Sequence, residues 1–325
     1  MSGHTRRAVL KAGSGLALAA GLGMPRALAA AYPSKPFTMY IPGKPGGGFD
    51  RASRAFAPAF ERLSGQPFKV DFAPGAGITL AATKMLSAPP EGYSLFYTAL
   101  STMGVAIEGT PKAGFGHDSF APVGTVYGGP LAMFARKDSR FQTFEEVVEA
   151  SKTSNVTGAM DNARQFYHVG GLIVNRRTGA RISYVPYGGG GPSRRAAAAG
   201  ETDVVMTGFF DAASMFDQLR CLCIFADRNP LPERVSAPTM REVYGDKAVN
   251  LLHPNGLTTS AAFRAERPDD YARLVDTFKT AITADNTRKA MIAAGFPPEA
   301  LIYWSPDDID DWYRSFVAEV RTISF

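Results

Sequence analysis

Three times in this chain a short β-prone run gives way to glycine and then to a helical pattern. The turns are PGGGFD at 45–50, PGAGI at 74–78 and VPYGGGGP at 185–192. Glycine weakens helices and strands because it frees the backbone. Its repeated placement at strand-to-helix junctions therefore marks sites where bare backbone is needed. Strand, turn and helix in alternation predict a mostly parallel sheet with helices on both faces. In such sheets ligands bind beyond the carboxyl ends of the strands, where these turns fall.

The alternation runs along most of the chain. Strands are expected at 37–41, 68–72 and 94–100, with helices starting near Asp50 and Ile78. Ala52, Ala55, Phe56, Ala59, Phe60 and Leu63 share one helical face. An apolar run over 121–137, broken by Gly128 and Gly129, opens a second set. Its strands are expected at 156–159, 182–186, 204–207 and 219–225, and its helices at 167–178 and 192–199. Thr143 is placed to cap another helix, through Ser151, with Glu145 and Glu146 in its first turn. One more strand over 250–260 precedes helices at 268–284, 287–294 and 306–324. This much chain exceeds one ordinary core, so two lobes follow. Residues 31–124 with 256–325 are assigned to lobe 1 and 125–255 to lobe 2. The two crossings between them predict a hinge.

Residues 1–30 read as an export signal. Arg6 and Arg7, with Leu10 and Lys11 behind them, match the twin-arginine pattern. A glycine-rich apolar stretch over 12–23 is too short to span a membrane. Ala27-Leu28-Ala29 then offers a small-x-small cleavage site. Cleavage near Ala29 to Ala31 and a periplasmic location are expected. Losing Arg6, Arg7, Lys11 and Arg26 takes 35 basic residues to 31, against 30 acidic ones. The basic balance thus belongs to the signal and argues against a nucleic-acid partner. Cys221 and Cys223 share a strand face at their spacing. They read as small apolar residues or a reactive pair, since near neighbours bridge poorly. No second Cys/His cluster suggests zinc, and no cofactor is called for.

At a helix N-terminus free N–H groups and a partial positive charge suit an anion. Gly46, Gly47 and Gly48 would let it reach the backbone itself. Asp50 is expected to cap the helix or orient a ligand hydroxyl or water. Carboxylate and phosphate both fit this chemistry. The run GKPGGGFD lacks the Gly-Lys-Ser/Thr ending of a nucleotide loop and the GxGxxG spacing of dinucleotide folds.

In order, Pro45 with three glycines and Asp50, Pro74-Gly-Ala-Gly77, Glu91-Gly-Tyr93-Ser, Phe120-Ala-Pro-Val123 and Val185-Pro-Tyr-Gly188 resemble the Bug or TctC-like family. YPSKP at 32–36 and APTMREV at 237–243 fit as well, so the resemblance covers 32–321. These are periplasmic solute receptors of tripartite tricarboxylate transporters. The resemblance implies a two-lobed α/β fold of the type II periplasmic-binding-protein, or Venus flytrap, kind. It implies a small organic acid held between the lobes by main-chain N–H groups and bridging waters. It also implies a monomer whose partners are the membrane subunits of the transporter. Carried onto this chain, one wall comprises Gly46, Gly47, Gly48, Phe49 and Asp50, the turn with Gly77, and Ser101. The other comprises Asn162, Arg164, His168, Tyr187, Gly188, Gly189 and Phe209. A receptor that signals without transport is the alternative, and a phosphate or nucleotide receptor a second.

The sequence departs from the family in two places. Members carry a loop of small residues before a histidine; here Asp161, Arg164, Gln165, Phe166 and Tyr167 precede His168. Gly208 stands where an aspartate is common, with Asp211 three residues on. Arg164 would pair with a second carboxylate, and Phe166, Tyr167, Phe209 and Phe210 would stack on a ring. That favours an aromatic or dicarboxylic acid over an amino acid. The alternative leaves Arg164 in solvent and the aromatics in the core. No enzyme is expected: there is no G-x-S-x-G elbow, and His168 reads as a loop residue. His117 and His253 sit beside a glycine-rich turn and a proline.

Overall fold

Strands that precede the glycine turns all end at one place, the gap between two sheets. A computed structural model of the chain describes residues 31–75, 77–110 and 114–324. The export signal expected over residues 1–30 lies outside the described residues. Pro33–Phe325 form one compact unit, which holds two five-stranded sheets.

The first half runs β1 (Phe37–Ile41), α1 (Gly48–Ser64), β2 (Phe68–Phe72), α2 (Thr79–Leu86), β3 (Ser94–Ala99), α3 (Leu100–Gly109) and β4 (Phe120–Tyr127). The chain then crosses into β5 (Leu131–Arg136), α4 (Phe144–Thr153), β6 (Thr157–Met160), α5 (Phe166–Thr178), β7 (Ser183–Pro186), α6 (Gly190–Ala199), β8 (Val204–Gly208), β9 (Leu219–Ile224) and α7 (Met240–Tyr244). It returns in β10 (Asn255–Ser260) and closes with α8 (Ala261–Glu266), α9 (Pro268–Thr283), α10 (Asp285–Ala293) and α11 (Pro306–Val320). Thr143 caps α4 as its sequence signature predicts: its side chain accepts from the Glu146 N–H at 3.2 Å, in a capping box.

The strand orders are β2-β1-β3-β10-β4 and β7-β6-β8-β5-β9. The two lobes share one plan: three parallel strands, then a strand arriving from the other lobe, then the strand that leaves. Four strands of each sheet run the same way, as mostly parallel sheets require, and the fifth is reversed. β1 pairs parallel with β2 and β3, and β6 with β7 and β8. β10 runs antiparallel to β3 and β4, and β5 antiparallel to β8 and β9. The reason is the double crossing. β5 and β10 begin at the interlobe edge, where their neighbours end, so they must run the other way.

The two crossings lie side by side. Leu131 N–H donates to the Leu251 carbonyl at 2.8 Å, and His253 N–H to that of Gly129 at 2.8 Å. Gly128 is required by this approach, because a Cβ there would stand 2.9 Å from the Pro254 backbone. α11 spans the junction. Its Phe316 meets Phe166 of α5 at 5.5 Å, and its Glu319 pairs with Arg177.

Both faces of each sheet are covered. In lobe 1, Phe56 of α1 packs edge-on against Tyr97 and Phe278. The opposite face buries Met85, Phe96, Met103 and Ile309. Each such aromatic contributes roughly 2–3 kcal/mol by leaving water. In lobe 2, Cys221 and Cys223 are free and buried. They fall in different core clusters, on opposite faces of the sheet. The expected shared face is lost because a register shift between Met133 and Phe134 interrupts the β5–β9 pairing. Burial pushes both thiols well above their usual range.

Candidate functional site

β1 ends at Ile41, and α1 begins at Gly48. Between them Gly46 takes a φ of +80°, where any side chain costs about 1–2 kcal/mol. That turn brings its N–H onto Asp50, whose Oδ2 accepts it at 2.7 Å while Oδ1 accepts from Arg54 Nε at 2.7 Å. Asp50 therefore does not cap the helix as the sequence suggested. Gly47 is the N-cap, and buried Asp50 fastens the turn from inside the first helical turn. Gly47 N–H donates to the Lys44 carbonyl at 3.1 Å. The N–H groups of Gly48, Phe49 and Asp50 have no acceptor among the described residues, as first-turn groups lack one within the helix.

Phe49 borders a cavity of about 430 Å³ between the lobes. Gly77 and Ile78, leading into α2, border it as well, as do Ala99 and Thr102 at the start of α3. Gln165, Phe166 and Tyr167, at the start of α5, form the facing wall. Ile78, Ala99 and Gln165 are the N-caps of their helices. Four helix N-termini thus converge on one space, each with a partial positive charge of roughly half an elementary charge. Among the described residues no Lys or Arg lines it, and Asp161 is its one acidic residue.

His253, on the return crossing, forms the floor. Its Nδ1 lies 2.6 Å from Ser101 Oγ, and its ring stacks on Phe166 at 4.9 Å and 7°. Burial pushes it down to about 4, so it is neutral at pH 7. Behind it lies a second cavity of about 190 Å³, bordered by Gly48, Arg51, Tyr127, Phe209, Asp211 and Phe296 among others.

Two aspartates shape the lobe 2 side. Asp161 follows β6, and burial pushes it up to about 6; the Asn162 backbone N–H opposes the rise and the charge of Asp211 adds to it. Asp211 Oδ2 accepts from Tyr167 Oη at 2.5 Å. Burial first, and then the Asp211 charge, holds the Tyr167 hydroxyl protonated far above its usual range. Among the described residues, no group of three or more His, Cys, Asp or Glu is placed to hold a metal ion.

Of the residues expected from sequence, Phe49 and Gly77 border the larger cavity, and Gly48 and Phe209 the smaller. Gly46, Gly47 and Asp50 build the turn behind them. Ser101 is buried in α3, and its hydroxyl is engaged by His253. Asn162, Arg164, His168, Tyr187, Gly188 and Gly189 border neither cavity. Arg164 is exposed, takes a φ of +61° and gives its N–H to His168 Nδ1 at 3.1 Å. Gly189 N–H donates to the Asp161 carbonyl at 3.1 Å, so the glycine turn after β7 supports the wall from behind. Thr98 and His253 border the larger cavity without having been singled out. The signal for His253 is its place on the return crossing, which only the sheet topology reveals.

Comparison with known proteins agrees with this architecture. Residues 53–305 match the model of the tripartite tricarboxylate transporter family receptor, TctC. A UPF0065 protein of Bordetella bronchiseptica is 29% identical over 188 residues, 58% of this chain and 56% of that protein. The chain spans little more than half the length of the first curated relatives it matches. Among solved structures, a TctC solute binding protein from Polaromonas superposes with a TM-score of 0.75 at 21% identity, over 90% of this chain and 100% of the other. MatC of Rhodopseudomonas palustris, solved with bound malate, gives 0.68 at 23% identity, over 90% and 99%. These likenesses concern the fold. The family match spans most of the chain, and the protein belongs to the tripartite tricarboxylate transporter receptor family.

Proposed function

We propose that this chain is an exported receptor that captures a small carboxylate between its lobes and presents it to the membrane subunits of a tripartite tricarboxylate transporter. The observation that carries this reading is the convergence of four helix N-termini on one cavity with no basic side chain among the described residues of its lining. An anion there meets peptide N–H groups rather than ammonium or guanidinium. Membership of the receptor family and the malate carried by MatC support the same choice. In this reading the protein works as a monomer in the periplasm after cleavage near Ala29, and it performs no chemistry on its ligand.

A thermal-shift screen of mono-, di- and aromatic carboxylates tests it. A ligand that binds only the folded chain raises the melting temperature by mass action. At least one carboxylate is expected to do so, with inorganic phosphate and nucleotides giving no shift. Shifts from phosphates alone would overturn the reading. N-terminal sequencing of exported protein checks the cleavage: an intact Met1 contradicts it.

A further inference from the structure

Capture in the larger cavity leaves the one of about 190 Å³ behind His253 without a role. Both crossings border it, through Gly129 and Asn255 among others. Its walls are aromatic. The Tyr127 and Phe296 rings lie 4.6 Å apart, and Phe210 fills the space of a side chain at Gly129, where a Cβ would stand 2.4 Å from its ring. An apolar cavity of about 150 Å³ is enough to take up benzene, so this one holds a single ring with a small substituent.

Several polar groups on it are unengaged. Asn255 is only 3% exposed; its Nδ2 donates to the His253 carbonyl at 3.1 Å, and its Oδ1 has no hydrogen-bond partner among the described residues. That oxygen keeps accessible surface, unlike the sealed Tyr97 hydroxyl. The cavity is the space this residue borders, so an occupant meets the oxygen and owes it a donor. Arg51 forms no ion pair among the described residues, because the neighbouring Asp50 is taken by Arg54. Its guanidinium lies over the Phe296 ring at 5.8 Å and gives one N–H to the Gly46 carbonyl at 3.3 Å, which leaves donors for a carboxylate. The Tyr127 hydroxyl, also without a partner among the described residues, stays protonated. Burial first, and then the charge of Asp211, pushes it far above its usual range, against the pull of Arg51. Asp211 borders the cavity as well, with its Oδ2 bound by Tyr167.

From the buried Asn255 acceptor and the unpaired Arg51 on one aromatic-walled cavity, we propose a second binding site at the crossings, for a single-ring aromatic acid that carries a hydrogen-bond donor, such as a hydroxybenzoate. Its carboxylate pairs with Arg51, aided by the Tyr127 hydroxyl. Its ring lies among Tyr127, Phe210 and Phe296. Its donor meets Asn255 or Asp211. A second carboxylate would meet Asp211 as a like charge, which disfavours aromatic diacids. The site is independent of what the larger cavity captures.

Calorimetric titration of the purified protein at neutral pH tests this, followed by a crystal structure with the acid that binds most tightly. The probes are the three hydroxybenzoate isomers, benzoate and the matching hydroxybenzamides. One isomer is expected to bind about 2- to 10-fold tighter than benzoate, as one neutral hydrogen bond implies, and about 10- to 100-fold tighter than its amide, which lacks the charge. Arg51→Gln is expected to bind that isomer about 10- to 100-fold more weakly. Its melting temperature without ligand should stay unchanged, because Arg51 is exposed. The crystal structure is expected to show the ring among Tyr127, Phe210 and Phe296. A ring in the larger cavity, full affinity in Arg51→Gln, benzoate binding as tightly as every isomer, or no binding by any isomer would overturn the inference. In each of these cases capture between the lobes stands or falls on the aliphatic acids of the screen.

Discussion

The carboxylate of Asp211 occupies the space that a side chain at Gly208 would need: a Cβ at Gly208 would stand 2.6 Å from Asp211 Oδ2 and 3.2 Å from the Tyr167 hydroxyl. Glycine at 208 therefore allows Asp211 to fold back against the end of β8 and bind Tyr167. Gly208→Ala is expected to expel Asp211 and break that bond. Because Asp211 is exposed, the loss is at the low end of a charged hydrogen bond, about 1–2 kcal/mol. Tyr167→Phe should cost a similar amount. Urea melts of both variants and their double mutant check this. The double mutant should be no less stable than the worse single, and full additivity contradicts the coupling.

The pairing of the crossings depends on Gly128. Gly128→Ala places a methyl group against the Pro254 backbone, which cannot give way as a flexible side-chain end could. The expected cost is about 1–3 kcal/mol. Because the pairing joins the lobes, ligand affinity should drop as well. A variant with unchanged melting temperature and affinity shows that the crossings can separate freely.

Stability should respond to pH in two opposing ways. Asp161 is pushed up to about 6 by burial, with Asp211 adding to the rise. Between about pH 4 and 6 the folded chain keeps a proton that the unfolded chain has lost, so this group's contribution falls as pH rises. His253 is pushed down to about 4 by burial, against the pull of Asp211. There the unfolded chain takes the proton first, so stability falls as pH drops from about 6.5 to 4. Asp161→Asn should be more stable than the unmodified protein above pH 6, by about 1–2 kcal/mol after allowing for its partial exposure. The gap should close towards pH 4. Melting curves from pH 4 to 8 read both slopes, and a gap independent of pH contradicts the assignment to Asp161.

Arg164 holds a left-handed backbone that favours glycine. Arg164→Gly should stabilise the chain by about 1 kcal/mol or leave it unchanged, relief of strain being offset by added chain entropy. Arg164→Ala should leave the affinity for the ligand unchanged, because the side chain is exposed and outside the cavity lining. A tenfold loss of affinity in Arg164→Ala places the guanidinium in the site after all.

Most of the architecture is legible in the residues. The alternation of β-prone runs and helical stripes gave nearly every strand of both lobes, and Thr143 with Glu146 gave a helix start. Two kinds of feature were not. α3 was missed because Leu100 to Gly109 carries two glycines and no acid in its first turn, so local signals for a helix are weak while burial against lobe 1 decides. The second is everything set by the double crossing. The antiparallel course of β5 and β10, the approach of Gly128 to Pro254 and the place of His253 under the cavity depend on partners far away along the chain. Of the residues expected at the site, Phe49 and Gly77 border the cavity, where turns of the backbone place them. Whether Arg164 or Asp161 borders it turns on one loop conformation, which no local pattern fixes.

The most direct test is a crystal structure of the protein with an aliphatic acid that raises its melting temperature. A carboxylate is predicted within hydrogen-bonding distance of first-turn N–H groups of α1, α2 or α3, with the rest of the molecule inside the cavity between the lobes. A carboxylate bound to side-chain cations, or lodged outside the cavity between the lobes, contradicts it.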